Sequence, residues 1–289
     1  MDLRTDLALE KSEAFGSVLP DGVACETIRV GSLTLHRIRV ETEAGAAALG
    51  KPVGRYITIE TPPFKRNAAL SDAEVAVIAD ELRALLPHEG TILVAGLGNE
   101  QITPDALGPK CSSLVLATRH ICGELAASAG LGDLRPVVNL IPGVLGRTGV
   151  ETGELLRGAA EHVRPAAVIT VDALAARRLS RLGCTIQIAD TGVSPGSGVG
   201  NARAALTQET LGVPVIALGV PTVVDAATLV QDLTQEPPDS PLQREGADMM
   251  ITPREIDLVI DRAARTLALA VNRALQPHLS VEDILQLVS

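Results

Sequence analysis

Aromatic residues are almost missing from this chain of 289 residues, which has no tryptophan, one tyrosine and two phenylalanines. That scarcity excludes stacking platforms for bases or sugars. It leaves Val, Leu, Ile and Ala to build the core. Positive charge is also short: 25 Lys and Arg stand against 35 Asp and Glu, a formal net charge of -10. A surface of that sign repels phosphate backbones. The densest basic cluster, Arg177, Arg178 and Arg181, is one charged helix end and no binding stripe. No nucleic-acid partner is expected. Long apolar runs are missing as well. The longest, Val213 to Val224, is too short for a membrane span and carries Gly and Pro. The start of the chain, Met1 to Asp6, lacks the apolar core of a signal peptide. The expectation is a soluble cytoplasmic protein with no membrane partner. Cysteines are few: Cys25, Cys111, Cys122 and Cys184 form no C-x-x-C pair and have no histidine at metal-ligand spacing. Buried free thiols in a reducing compartment are the reading, with no cofactor and no metal.

What is present is an ordinary globular balance, 46% hydrophobic and 21% charged. The length allows one α/β domain over 1–289. A β-containing subregion over 20–62 is expected from weak alternation at 27–40 and again at Arg55 to Glu60. Ser71-Asp72-Ala73-Glu74 has the Ser-x-x-Glu form of a capping box, opening a helix to Leu86. From Thr91 the rhythm becomes strand, loop, helix. Strands are predicted at 91–95, 136–140, 166–171, 184–188 and 213–218, and helices at 105–129, 151–163, 173–181 and 222–233. Several strands are continuous apolar runs, as in sheets covered on both faces. The fold class expected is α/β, a three-layer sandwich with a mainly parallel central sheet and a small N-terminal β-containing segment. A proline-rich loop fills 234–248. Pro253 marks the first turn of a further helix reaching Leu275, and a short helix closes the chain.

The chemistry concentrates where strands end. The run Thr91 to Ala95 empties into Gly96-Leu97-Gly98-Asn99, with Asp105 a few residues on. The run Val168 to Val171 ends on Asp172. In one parallel sheet both carboxylates reach the carboxyl edge, where open α/β sheets place their sites. Two acids brought together can divide acid and base roles. Alone, each has a structural role: Asp105 as an acid in a first helical turn after Thr103-Pro104, Asp172 as the cap of a helix at Ala173. Gly96-x-Gly98 lacks the third glycine of a dinucleotide loop, since position 101 is Gln. Asp190-Thr191-Gly192 has the tripeptide of aspartic proteases, but their all-β bilobal fold does not match this rhythm. The glycine-dense loop beyond it, with Gly196 and Gly198, reads as a substrate-binding loop. Ser194 and Ser197 lack a histidine in a comparable loop, and His120 reads as a helix-face residue. Pro142 to Thr152 supplies a cleft wall.

Longer blocks carry a resemblance. They include Arg4 to Ala8, Gly50-Lys51-Pro52 with Gly54-Arg55-Tyr56, Gly96 to Asn99 with Thr103 to Pro109, and Thr118-Arg119-His120. Further on come Asp172 to Arg177, Thr185 to Gln187, Asp190 to Gly192, Pro195 to Asn201, Leu211 to Ala217, Gly219 to Ala226 and Ile251 to Asp257. In these blocks the chain resembles the germination proteases of spore-forming bacteria. The resemblance implies an endopeptidase whose substrate partners are small acid-soluble spore proteins in the spore core. It implies two essential aspartates, matching Asp105 and Asp172; Asn99, Asp190, Gly196 and Gly198 are the supporting or substrate-binding candidates beside them. It implies a zymogen that removes a short N-terminal piece, here residues 1–6, and a possible homo-oligomer. The segment between Ala226 and Ile251 is shorter than the family's usual insertion. The core is also similar to hydrogenase maturation proteases, whose acids meet nickel beside a histidine. No histidine here completes such a site. The alternatives are a metal-dependent maturation-type endopeptidase and a non-catalytic peptide-binding module.

Overall fold

The computed structural model describes residues 5–16, 18–66, 70–121, 134–196, 203–234 and 249–288. The order is α1 (Ala8–Glu13), β1 (Val23–Val30), β2 (Leu33–Val40), α2 (Glu43–Leu49), β3 (Gly54–Glu60), α3 (Asp72–Arg83) and β4 (Ile92–Gly96). A single 3-10 turn, Thr103–Asp105, leads to α4 (Leu107–Ser112) and β5 (Val137–Leu140). Then come α5 (Leu145–Thr148), α6 (Thr152–Val163), β6 (Ala167–Ala176), β7 (Thr185–Ala189) and α7 (Gln208–Leu211). The chain continues through β8 (Val215–Asp225), α8 (Ala226–Thr234), β9 (Met250–Ile251), α9 (Ile256–Leu275) and α10 (Val281–Val288).

The described strands form one sheet in the order β1-β2-β3-β7-β8-β6-β4-β5, with β9 on β8. The α/β architecture is the one the sequence predicts. Strands β5, β4, β6 and β8 are joined in parallel. Strands β1, β2, β3 and β7 are antiparallel to their neighbours. The N-terminal strands are thus no separate appendage, because β3 hydrogen-bonds along β7 and continues the same sheet.

Alternation divides the core between the two faces. Ile92, Val94, Ile169, Val171, Ile216 and Leu218 point to a large cluster beneath α3, α4 and α9. Leu93, Ala95, Leu97, Val168 and Val215 point the other way, beneath α6 and α7. Asp172 shares the parity of Val168, so its side chain lies on the α6 side. The amphipathic α9 buries Val259, Ile260, Ala263, Leu267 and Val271 on one stripe. Ser71 and Glu74 form the expected capping box at α3.

Some expectations are corrected. Residues 173–176 are strand, not helix: β6 runs on beside β8 from Asp172↔Gly219 to Ala176↔Val224. Ladder pairing outweighs the helix propensity of Ala-Leu-Ala-Ala. Only a 3-10 turn, Leu179–Arg181, follows. β8 likewise extends to Asp225, with an irregularity opposite Leu174 and Ala175 where Pro221 cannot donate. The helix after Asp105 ends at Ser112, and residues 122–133 lie outside the described ones. His120 therefore sits in an exposed turn. Pro253 precedes α9, which starts at Ile256. Cys25 is exposed, because it lies on the edge strand β1, whereas Cys111 is buried. Cys122 and the loop 235–248 fall outside the described residues.

Candidate active site

The acid-bearing turn is held by backbone against backbone. β4 ends at Gly96, and the Leu97 N–H still donates to the Val171 carbonyl at 2.8 Å. Gly98 then takes φ +110°, and a Cβ there would lie 2.1 Å from the Asp105 carbonyl oxygen. Only glycine accepts both conditions. Gly108, in the first turn of α4, sits as tightly: a Cβ would meet the Leu97 carbonyl at 2.2 Å and that of Val171 at 2.4 Å. Pro104 fixes the intervening 3-10 turn. Asp105 Oδ2 accepts the Asn99 N–H at 2.7 Å. Asn99 Oδ1 in turn accepts the Gln101 N–H at 3.1 Å.

Asp172 comes from the adjacent parallel strand, one residue beyond the Gly96↔Val171 pair. It is only 7% exposed. Its Oδ1 accepts its neighbour Ala173's N–H at 2.9 Å. Burial pushes its carboxyl well above the ordinary carboxylate range, and the charges of Asp105 and Asp6 add to the rise. Burial also raises Asp105, opposed by the hydrogen bond from Asn99.

Both acids line one cavity of about 550 Å³. Gly143, Val144, Leu145, Glu151 and Thr152 form one wall, and Thr191 to Gly196 form another. The germination protease family model matches residues 6–235, a span that contains both acids, both walls and the strands between them.

The chain belongs to the germination protease family. It is 41% identical to the germination protease of Caldanaerobacter subterraneus subsp. tengcongensis, covering 100% of this chain and 98% of that one. With the Clostridium perfringens germination protease identity is 40%, covering 98% of each chain. With that of Bacillus subtilis it is 35%, covering 97% of this chain and 95% of the relative. Among solved structures, a NiFe hydrogenase maturation protease, HycI from Thermococcus kodakarensis KOD1, aligns with TM-score 0.34 and 17% identity. That alignment covers 66% of this chain and 98% of the other.

Within this family member the remaining expected site residues part company. Asn99 meets Asp105 through its backbone N–H. Gly196 and Ser194 line the cavity, whereas Ser197 and Gly198 lie outside the described residues. Asp190 turns to Arg55, accepting its N–H and its Nε–H, each at 2.7 Å. It clips the start of β3 to the end of β7 and is not among the cavity's lining residues. Among the described residues no group of three or more His, Cys, Asp and Glu is arranged to hold a metal. Asp105 and Asp172 alone make a two-donor set.

Three cavity residues were not expected. Asp6 belongs to an N-terminal strap lying along β6: its N–H donates to the Ala175 carbonyl at 2.9 Å, and its Oδ2 accepts the Ala175 N–H at 2.8 Å. Leu7, fully buried, packs with Leu174, Ala176 and Val224. Gln187 accepts the Ala8 N–H at 3.3 Å and the Thr58 hydroxyl at 2.9 Å. The Lys51 Nζ donates to the Asp6 carbonyl at 2.8 Å. Burial lowers Lys51 to about 8, partly offset by the Asp6 charge. Its one sequence signal was its place between Gly50 and Pro52, where the backbone is restrained.

Proposed function

We propose that this chain is an endopeptidase that cuts small acid-soluble spore proteins in the spore core during germination, with a carboxylate pair activating water. The observation that carries this reading is the convergence of Asp105 and Asp172, from neighbouring parallel strands, on one cavity. Asp172 is the more strongly desolvated acid and starts protonated; Asp105, stabilised as an anion by the Asn99 N–H, is the base. Like charges at close range cannot both ionise freely, so the pair titrates jointly. The segment ending at Asp6 is a pro-piece, removed by cutting Asp6–Leu7. Asp6 lines the acids' own cavity, which supports that assignment.

The test is incubation of the purified full chain with a purified small acid-soluble spore protein, followed by mass spectrometry of both. Cleavage of the substrate and loss of residues 1–6 are expected. Asp105→Asn and Asp172→Asn should each slow cutting by ~10²–10⁴, the usual worth of general acid–base assistance. Parental rates in either variant sink the reading. Stoichiometric metal in active protein would favour the metal-dependent alternative.

A further inference from the structure

The carboxylate pair accounts for the water and for the leaving amine but leaves the carbonyl oxygen without a partner. The structure supplies one. The strap bends at Asp6, which lines the cavity and is held beside β6 at Ala175 by one main-chain bond, its N–H to the Ala175 carbonyl, and by its carboxylate on the Ala175 N–H. Among the described residues one lysine, Lys51, lines this cavity, and its ammonium rests on the carbonyl oxygen of the strap's acidic residue. We propose that Lys51 is the electrophile of the site, binding the carbonyl oxygen on the N-terminal side of the cut bond and stabilising the oxyanion formed there. This rests on the carboxylate-pair reading and deepens it.

The step balances. Water oxygen adds to the carbonyl carbon, and Asp105 takes one water proton. The π electrons move to the carbonyl oxygen, where the Lys51 ammonium faces the new charge. The C–N bond then breaks with its electron pair on nitrogen, which takes the proton of Asp172. The C=O bond reforms, and the remaining hydroxyl proton is lost to solvent, leaving a carboxylate. Proton transfer from Asp105 to Asp172 resets the pair. A preplaced charge in a water-poor pocket needs little reorganisation when the oxyanion appears, which is the source of its catalytic worth.

The groups around Lys51 fit this use. Lys11 on α1 is turned to the Gly50 carbonyl at 3.0 Å, and its charge lowers Lys51. Asp6 is the acid that raises it. Tyr56 on β3 donates to the Pro52 carbonyl at 2.8 Å and is raised to about 12 by burial, so it remains neutral. Asp190, beyond β7, is paired with Arg55. Asp105 and Asp172 share the cavity but not the amine's hydrogen bond. With the Asp6 charge beside it the lysine is cationic below about pH 8, and its hydrogen bond goes to the strap's carbonyl, a place a substrate carbonyl takes once the strap has left.

The test uses the full chain and a synthetic peptide of residues 1–13 as substrate. Lys51→Met should lower kcat by ~10²–10³, the effect of losing one oxyanion donor, with little change in KM. The parent's rate should fall above about pH 8 as the amine loses its proton, and Lys51→Met should lack that fall. Lys51→Arg, which keeps the charge, should restore part of kcat and move the fall to higher pH. A lysine that merely anchors the strap would alter KM or strap release and leave kcat alone. That outcome, or parental kcat in Lys51→Met, overturns the proposal. If Lys51→Met fails to give the parent's circular dichroism, Lys51→Arg decides by its pH profile. Asp105→Asn and Asp172→Asn run alongside. If they are inactive while Lys51→Met cuts at the parental rate, only the lysine assignment falls. If the parent leaves the peptide uncut, both readings fall.

Discussion

β6 and β1 belong to the same sheet and could hardly be more different. β6 is covered on both faces and pairs with β4 from Ala167 to Val171 and with β8 from Val168 to Ala176. β1 pairs on one side only, and none of its residues is fully buried. An acid on each shows what this does. Asp172 on β6 is driven toward its protonated form by burial and by the charges of Asp105 and Asp6. Glu26 on β1 stands 3.4 Å from Arg37 at the surface, an exposed pair worth about 0–1 kcal/mol. The interior strand holds a carboxyl toward its neutral form; the edge strand leaves it a solubilising charge. The antiparallel half is not inert, however. It delivers Lys51, just ahead of β3, to the cavity that the parallel half has stocked with acids.

The sharpest way to break this contrast is Asp172→Asn against Glu26→Gln. The first should cost ~10²–10⁴ in peptide cleavage; the second should leave cleavage at the parental rate. Next in size is stability. Ile169→Ala removes a fully buried side chain of β6 and should cost ~2–5 kcal/mol in denaturant unfolding. An unfolding midpoint unchanged by it would mean that β6 is not the packed centre described. A subtler effect separates function from stability. Asp172 holds its proton more tightly folded than unfolded, so stability declines as pH rises through and above the unfolded carboxyl range. Asp172→Asn should therefore melt above the parent at neutral pH, with the gap closing below about pH 4, where the unfolded carboxyl is itself protonated. A gap that grows on acidification contradicts the desolvation account. Smallest is Val30→Ala on β1, 38% exposed, which should stay within about 0.5 kcal/mol of the parent.

Much of the parallel half was legible because its signals are local. The apolar runs at Thr91 to Ala95 and Val168 to Val171 became β4 and β6, and Ser71 with Glu74 capped α3. The carboxyl ends of those strands brought Asp105 and Asp172 to one cavity, as their positions implied. What stayed hidden depends on long-range pairing. Nothing local says that Ala173 to Ala176 should continue a ladder with β8, since the same letters favour a helix. Alternation at Arg55 to Glu60 marked a strand but not its partner, β7, and so concealed Lys51's approach to the acids. Asp6 sat in a polar stretch without periodicity, and only its pairing to Ala175 makes it part of the cleft.

The contacts of Gly98 and Gly108 have a consequence for how this protein can vary. The backbone segments that carry the two acids touch through peptide groups at Gly98 and Gly108, where no Cβ fits. Repacking of the surrounding aliphatic residues can soften the molecule without retuning that contact. A single added methyl at either glycine would do the reverse, forcing apart the backbone segments that carry the two acids.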